Sequence, residues 1–184
     1  MNTKELDGYL KFLSEKQTAV QESGFDVEDS DLSPQLFPFQ KYCVKRALKV
    51  GRFAMFEDCG LGKTYQQLEW AQQVVNHINK PVLILAPLGV IGQTIKEGVH
   101  FGYKVTEIAL TTFDQDLAAG IYITNYDNMD NIDAYLFGGV VLDESSILKN
   151  FAGKTRTALI EDFKNTPYKL CCTATPSPND TTEL

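Results

Sequence analysis

The sequence predicts an α/β fold: a mainly parallel sheet with helices on both faces. Three observations predict it. From residue 39 onward, short apolar runs alternate with stretches of helical periodicity, as βαβ units require. Residues 81–86 (PVLILA) are continuously apolar, as expected of a strand covered on both sides. No repeat of 20–50 residues points to a solenoid or propeller instead.

Taken in order, residues 2–22 place Leu6, Tyr9, Leu10 and Leu13 at helical spacing, which predicts one amphipathic helix. Residues 24–38 (GFDVEDSDLSPQLFP) are acidic and broken by Gly, Ser and Pro, and read as a linker. Residues 1–35 are therefore expected to form a helix and acidic linker, and 36–184 the main domain. Within it, helices are predicted over 40–49, 63–78, 90–101, 128–137 and 154–163. Strands are predicted over 52–56, 81–86, 105–110, 120–124, 140–143 and 168–173.

At 184 residues the chain is long enough for one domain that buries roughly 70% of its unfolded surface without staples. No apolar run approaches the ~20 residues of a membrane span, so no membrane partner is expected, and the polar N-terminus is no secretory signal. Cys43, Cys59, Cys171 and Cys172 form no CxxC pair, and His77 and His100 lie far from them. Neither a zinc site nor a disulfide framework is expected, and a cytoplasmic or nucleoid-associated location fits. Net charge is −7, concentrated in residues 1–35 with three Lys against eight Asp or Glu. The near-neutral remainder argues against tight nucleic-acid binding by charge alone, leaving room for a local basic strip.

Between a predicted strand and a predicted helix lies Glu57-Asp58-Cys59-Gly60-Leu61-Gly62-Lys63-Thr64. Glycines let the backbone turn its amides inward, and the helix N-terminus adds the positive end of its dipole, so the segment is built to hold phosphates. Lys63 is the group to reach β- and γ-phosphates, and the Thr64 hydroxyl a ligand for Mg²⁺. GxGK[ST] arises by chance in fewer than about one chain of this length in a hundred. Glu57 stands where the usual pattern has its first glycine. Farther on, Val140-Val141-Leu142-Asp143-Glu144 is an apolar strand tipped with two carboxylates. Alone this reads as a solvated strand end. After a phosphate loop, one carboxylate can hold Mg²⁺ and the next can polarise an attacking water.

Gly60–Thr64, Asp143-Glu144-Ser145-Ser146 and Thr173-Ala174-Thr175-Pro176 together resemble motifs I, II and III of superfamily-two helicases, most of all the Swi/Snf-type branch. That branch often reads D-E-M-G-L-G-K-T at motif I, which makes Glu57 expected, and D-E-A-H at motif II, where this chain has Ser145 and Ser146. The resemblance implies a RecA-like three-layer lobe over roughly residues 36–180. It implies a nucleotide site of Gln40, Asp58, Cys59, Gly60, Leu61, Gly62, Lys63 and Thr64. Thr64 and Asp143 would hold Mg²⁺, with Lys63 and Glu144 catalytic. Gln40, in Leu36-Phe37-Pro38-Phe39-Gln40, would recognise adenine; a helix-start glutamine is the plainer reading. Pro87 and Gly89 (motif Ia), with Thr124 and Tyr126 (motif Ib), would touch nucleic acid, or simply shape strand-to-helix turns. Thr173 and Thr175 would couple the nucleotide to a second lobe, or cap a turn before Pro176.

The expected function is the ATP–Mg²⁺ lobe of a nucleic-acid-dependent ATPase, a translocase on double-stranded DNA once joined to a second RecA-like lobe. Asn179, Asp180 and Glu183 would lie in the connection to it. The lobe alone is expected to turn over slowly, since an arginine supplied across the cleft is worth roughly 10³–10⁵ in rate. A strand-separating helicase and a non-enzymatic nucleotide-binding module are alternatives. A small kinase fits less well, with Arg46, Arg52 and Arg156 too few for an arginine-rich lid. Trp70, Phe37, Phe39 and Tyr42 are expected to pack rather than stack on bases, His77 to be exposed, and Cys171 and Cys172 to be core residues.

Overall fold

The computed structural model describes residues 22–108, 117–149 and 153–176. The helix expected over 2–22, the end of the strand expected over 105–110, and Asn179, Asp180 and Glu183 lie outside them. Six strands form one parallel sheet: β1 (Arg52–Phe56), β2 (Val82–Ala86), β3 (Val105–Glu107), β4 (Ile121–Asn125), β5 (Gly139–Leu142) and β6 (Tyr168–Thr173). Their order across the sheet is β1-β6-β5-β2-β4-β3. The chain thus starts at one edge, crosses to the middle, runs to the far edge and returns. This order sets β6 between β1 and β5, with Phe56 opposite Thr173 and Leu142 opposite Cys171.

Among the described residues, α1 (Pro38–Val50) leads into β1, and α2 (Lys63–Ile78), α3 (Leu88–Phe101) and α4 (Gly153–Asp162) lie between strands. Pro38 opens α1, where its missing N–H costs nothing. Asn79 ends α2 in the left-handed conformation that asparagine tolerates. Period-two alternation divides the core. Val82, Ile84 and Ala86 of β2 join Ile123, Val141 and Leu170 beneath Val44, Leu48, Leu68, Trp70, Ala71 and Ile91 of α1, α2 and α3. Leu83 and Leu85 face the other way, onto Val140, Leu142, Met129, Phe137, Leu159 and Phe163. Each such side chain contributes roughly 1.5–3 kcal/mol of burial, so both faces need their covering layer.

Two expectations change. Residues 128–137 are not one helix but two 3₁₀ turns, Tyr126–Asn131 and Ala134–Leu136. Short polar side chains cause this: Asn125 accepts from the Asn128 amide and Asp133 from the Tyr135 amide, capturing N–H groups a helix would use. The stretch read as a linker is a docked strap from residue 22 onward. The amides of Ser23, Gly24 and Phe25 donate to the carbonyls of Val50, Lys49 and Leu48, and Leu32 and Leu36 are buried in the main core. Glu69, buried on α2, ties the strap down. Its carboxylate accepts from the Ser33 amide, Gln73 and Tyr103, and Gln73 also bonds the Asp31 carbonyl.

Candidate functional site

The loop after β1, the acidic pair after β5 and the threonines ending β6 come from three adjacent strands in one direction. They therefore meet at one edge of the sheet, where parallel α/β folds bind ligands. The Asp143 amide donates to Leu85 O at 2.8 Å, extending the pairing with β2 as the chain leaves the sheet.

The loop is held from both ends. Gly60 and Gly62 adopt φ +84° and +76°, which side chains rarely tolerate. Gly62 is the N-cap of α2 and offers no side chain to satisfy the helix's first amides. Lys63 Nζ donates to the carbonyls of Glu57 at 2.7 Å and Asp58 at 2.8 Å, folding the loop over the helix start. Asp58, Cys59, Gly60 and Leu61 are exposed, and Thr64 is half-buried in the first helical turn. Gln40 is buried; its Oε1 accepts from the Phe37 amide and its Nε2 donates to Leu61 O, both at 2.9 Å. That amide has one lone pair and one N–H beyond these two bonds.

Two buried glutamines that the sequence reading passed over support this edge. Gln66 donates to Glu57 Oε2 at 2.7 Å and to Leu61 O at 3.3 Å. Gln67 donates to Asp143 Oδ1 at 2.7 Å, tying α2 to the tip of β5. Their signal was position: they sit one turn below Lys63 on a face that must be interior. Glu57 also lies against Cys43, whose thiol is pushed up to about 11 by burial and then by that carboxylate.

The two carboxylates have opposite environments. Burial pushes the Asp143 carboxyl above its usual range, more than the Gln67 bond and the Lys63 charge lower it. Glu144 sits at φ +51°, an uncommon conformation for a side-chain-bearing residue. Burial raises its carboxyl too, but hydroxyls outweigh it and hold the group below its usual value. Its Oε1 accepts from Ser146 at 2.5 Å, Thr173 at 2.7 Å and Thr175 at 3.2 Å. Ser146 and Thr175 also bond each other at 3.3 Å. The serine in place of histidine at motif II therefore reaches Thr175 of motif III directly, and Thr173 through the shared Glu144 Oε1. A carboxylate so placed is ionised at neutral pH.

Other expected residues fall elsewhere. Pro87 caps α3 half-buried and Gly89 is exposed in its first turn, at the same edge of the sheet. Thr124 and Tyr126 are only 1% and 5% exposed, which corrects their assignment to a nucleic-acid surface. Thr124 bonds Ile108 O and Asn128, and Tyr126 donates to Asp143 O at 2.8 Å, steadying the acidic tip from below. Trp70 is fully buried, as expected, but Phe37, Phe39 and Tyr42 are 65%, 44% and 71% exposed because α1 turns that side to solvent.

The SNF2-related domain matches residues 41–184 of this chain. Protein p41 of Acyrthosiphon pisum secondary endosymbiont phage 1 is 27% identical over 172 residues, covering 80% of this chain and 37% of its own. The SWI/SNF-related matrix-associated actin-dependent regulator of chromatin subfamily A-like protein 1 of Xenopus laevis is 28% identical over 173 residues, covering 85% and 17%. The chain thus spans less than two-fifths of either relative's length. Among solved structures, the Sulfolobus solfataricus SWI2/SNF2 ATPase core in complex with dsDNA superposes with a TM-score of 0.65 at 21% identity, over 86% of this chain and 36% of that one. The parallel six-stranded sheet is that of a RecA-like helicase lobe.

Proposed function

Since the chain belongs to the SNF2-related domain family, we propose that it binds ATP with Mg²⁺ and, joined to a second lobe, hydrolyses it to move along double-stranded DNA. One observation carries the reading: Glu144, the candidate base, is hydrogen-bonded to Thr173 and Thr175 at the end of β6, at the same sheet edge as the glycine loop after β1. Lys63 and the first amides of α2 hold the phosphates, and Gln40 faces the adenine. Thr64 and Asp143 would hold Mg²⁺, which would supply charge neutralisation for the phosphates. The residues present fit such an ion: Asp143 Oδ1 accepts from Gln67, which leaves Oδ2, and Thr64 brings a hydroxyl in the first turn of α2.

Glu144 accepts a proton from the attacking water, and its three hydroxyl partners fix its orientation. Two of those partners, Thr173 and Thr175, sit at the end of β6, where they would couple nucleotide state to a second lobe. The Sulfolobus core in complex with dsDNA supports duplex DNA as the substrate, and Pro87 and Gly89 at the start of α3 would be the contacts on this lobe. The test is ATP turnover of the protein carrying both lobes, with and without duplex DNA. DNA should stimulate turnover, and Glu144→Gln should abolish it while leaving nucleotide affinity intact. Full turnover in that variant refutes the assignment.

A further inference from the structure

Four of the chain's 17 Lys and Arg fall within nine residues of α1: Lys41, Lys45, Arg46 and Lys49. Lys41, Lys45 and Lys49 recur every fourth residue and Arg46 lies in the adjoining row, so they form one half-buried stripe flanking the buried Val44, Ala47 and Leu48. The stripe lines a cavity of about 530 Å³ together with Leu36, Pro38 and the strap's Asp26 and Asp29. In a chain of net charge −7 this is a concentration of positive charge, and α1 leads straight into the edge strand β1.

The acidic strap covers this stripe with a row of carboxylates. Asp29 pairs with Lys45 at 2.6 Å, Asp26 with Lys49 at 3.2 Å and Glu22 with Arg46 at 2.6 Å, while Lys41 Nζ reaches the Asp29 carbonyl at 3.2 Å. The carboxylates of Asp26 and Asp29 are 76% and 71% exposed, so these pairs are weak and screened by salt. They do not hold the strap. Its backbone pairing with residues 48–50 and its buried Leu32 and Leu36 do that. The carboxylates can therefore be displaced by another anion while the strap stays docked.

We propose that this face of α1 is a second contact for the phosphodiester backbone of duplex DNA, and that the strap's carboxylates are its built-in competitor. Spaced anions along a helix of cations mimic successive phosphates, and charge complementarity selects the partner. The inference rests on the proposed function and adds a surface separate from Pro87 and Gly89.

The test is fluorescence anisotropy of a labelled 30-base-pair duplex titrated with the 184-residue chain at several salt concentrations. Asp26→Asn/Asp29→Asn should bind more tightly, with a log–log salt slope steeper by about two, since each phosphate contact adds about 0.9. Lys45→Glu/Arg46→Glu should flatten the slope by a similar amount. In the unaltered protein, the duplex should protect Lys41, Lys45 and Lys49 from acetylation, read by mass spectrometry, and leave Lys80 reactive. Unchanged affinity and slope in both double variants, or equal protection by polyglutamate, overturns the proposal. Gly89→Glu separates the two readings. If it weakens binding while the α1 variants do not, the second surface is wrong and the proposed function stands.

Discussion

Replacing Gly62 with alanine tests how the adenine-side glutamine and the phosphate loop hold each other. The backbone there has φ +76°, and an added Cβ would come within 2.5 Å of Gln40 Nε2. The left-handed backbone costs an L-residue about 1–2 kcal/mol. The contact is with the tip of a flexible side chain, so it is relieved by movement. Movement breaks the Gln40 bond to Leu61 O and loosens the one from the Phe37 amide. At about 0.5–1.5 kcal/mol per bond, Gly62→Ala should cost about 2–4 kcal/mol in total. Gly60→Ala is the control: φ is +84°, but nothing lies within 4 Å of the new Cβ, so only the strain of about 1–2 kcal/mol applies. Urea unfolding followed by the fluorescence of Trp70, the sole and fully buried tryptophan, measures both. In a Gln40→Ala background the cost of Gly62→Ala should fall to the strain alone, a coupling of about 1–2 kcal/mol. Equal costs for the two glycines, with no coupling to Gln40, would refute the reasoning.

Two further outcomes follow from the same geometry. Asp143 is raised by burial, so its ionised form destabilises the lobe at neutral pH. Asp143→Asn keeps the acceptor for Gln67 and should raise the urea midpoint at pH 7. That advantage should shrink as pH falls through the raised Asp143 range; a pH-independent difference would argue against burial as the cause. At Gly24 an added Cβ would meet the Leu48 carbonyl oxygen at 1.8 Å, so Gly24→Ala should lift the strap and cost about 1–3 kcal/mol. Limited proteolysis should then cut within residues 22–31 faster than in the unaltered chain, and equal cutting rates would count against the docking.

What the sequence disclosed was local. Residues 52–56, 63–78 and 168–173 match their observed elements residue for residue, because short runs rich in apolar residues, a 3.6-residue period and a glycine-rich turn need no distant partner to be recognised. That the GLGKT loop and the Asp-Glu tip share one edge followed from the parallel βαβ pattern, since such strands all end on the same side. Non-local contacts stayed hidden. Leu32 and Leu36 look like isolated apolar residues in an acidic stretch, and only folding shows both in the main core. Thr124 and Tyr126 carry surface-compatible hydroxyls, yet strand alternation and a carbonyl partner turn them inward. Ser146 looked like a departure from its motif. Its hydroxyl reaches both Glu144 and Thr175, which could not be inferred without the backbone turn at Glu144.

The account stands on one convergence: Lys63 and Asp143 serve the same magnesium-bound triphosphate. Calorimetric titration of a non-hydrolysable ATP analogue, with and without Mg²⁺, reads it directly. The unaltered protein should bind more tightly with the ion, Lys63→Ala should not bind, and Asp143→Asn should bind equally in both conditions. An Asp143→Asn protein that keeps the full magnesium enhancement would contradict the account.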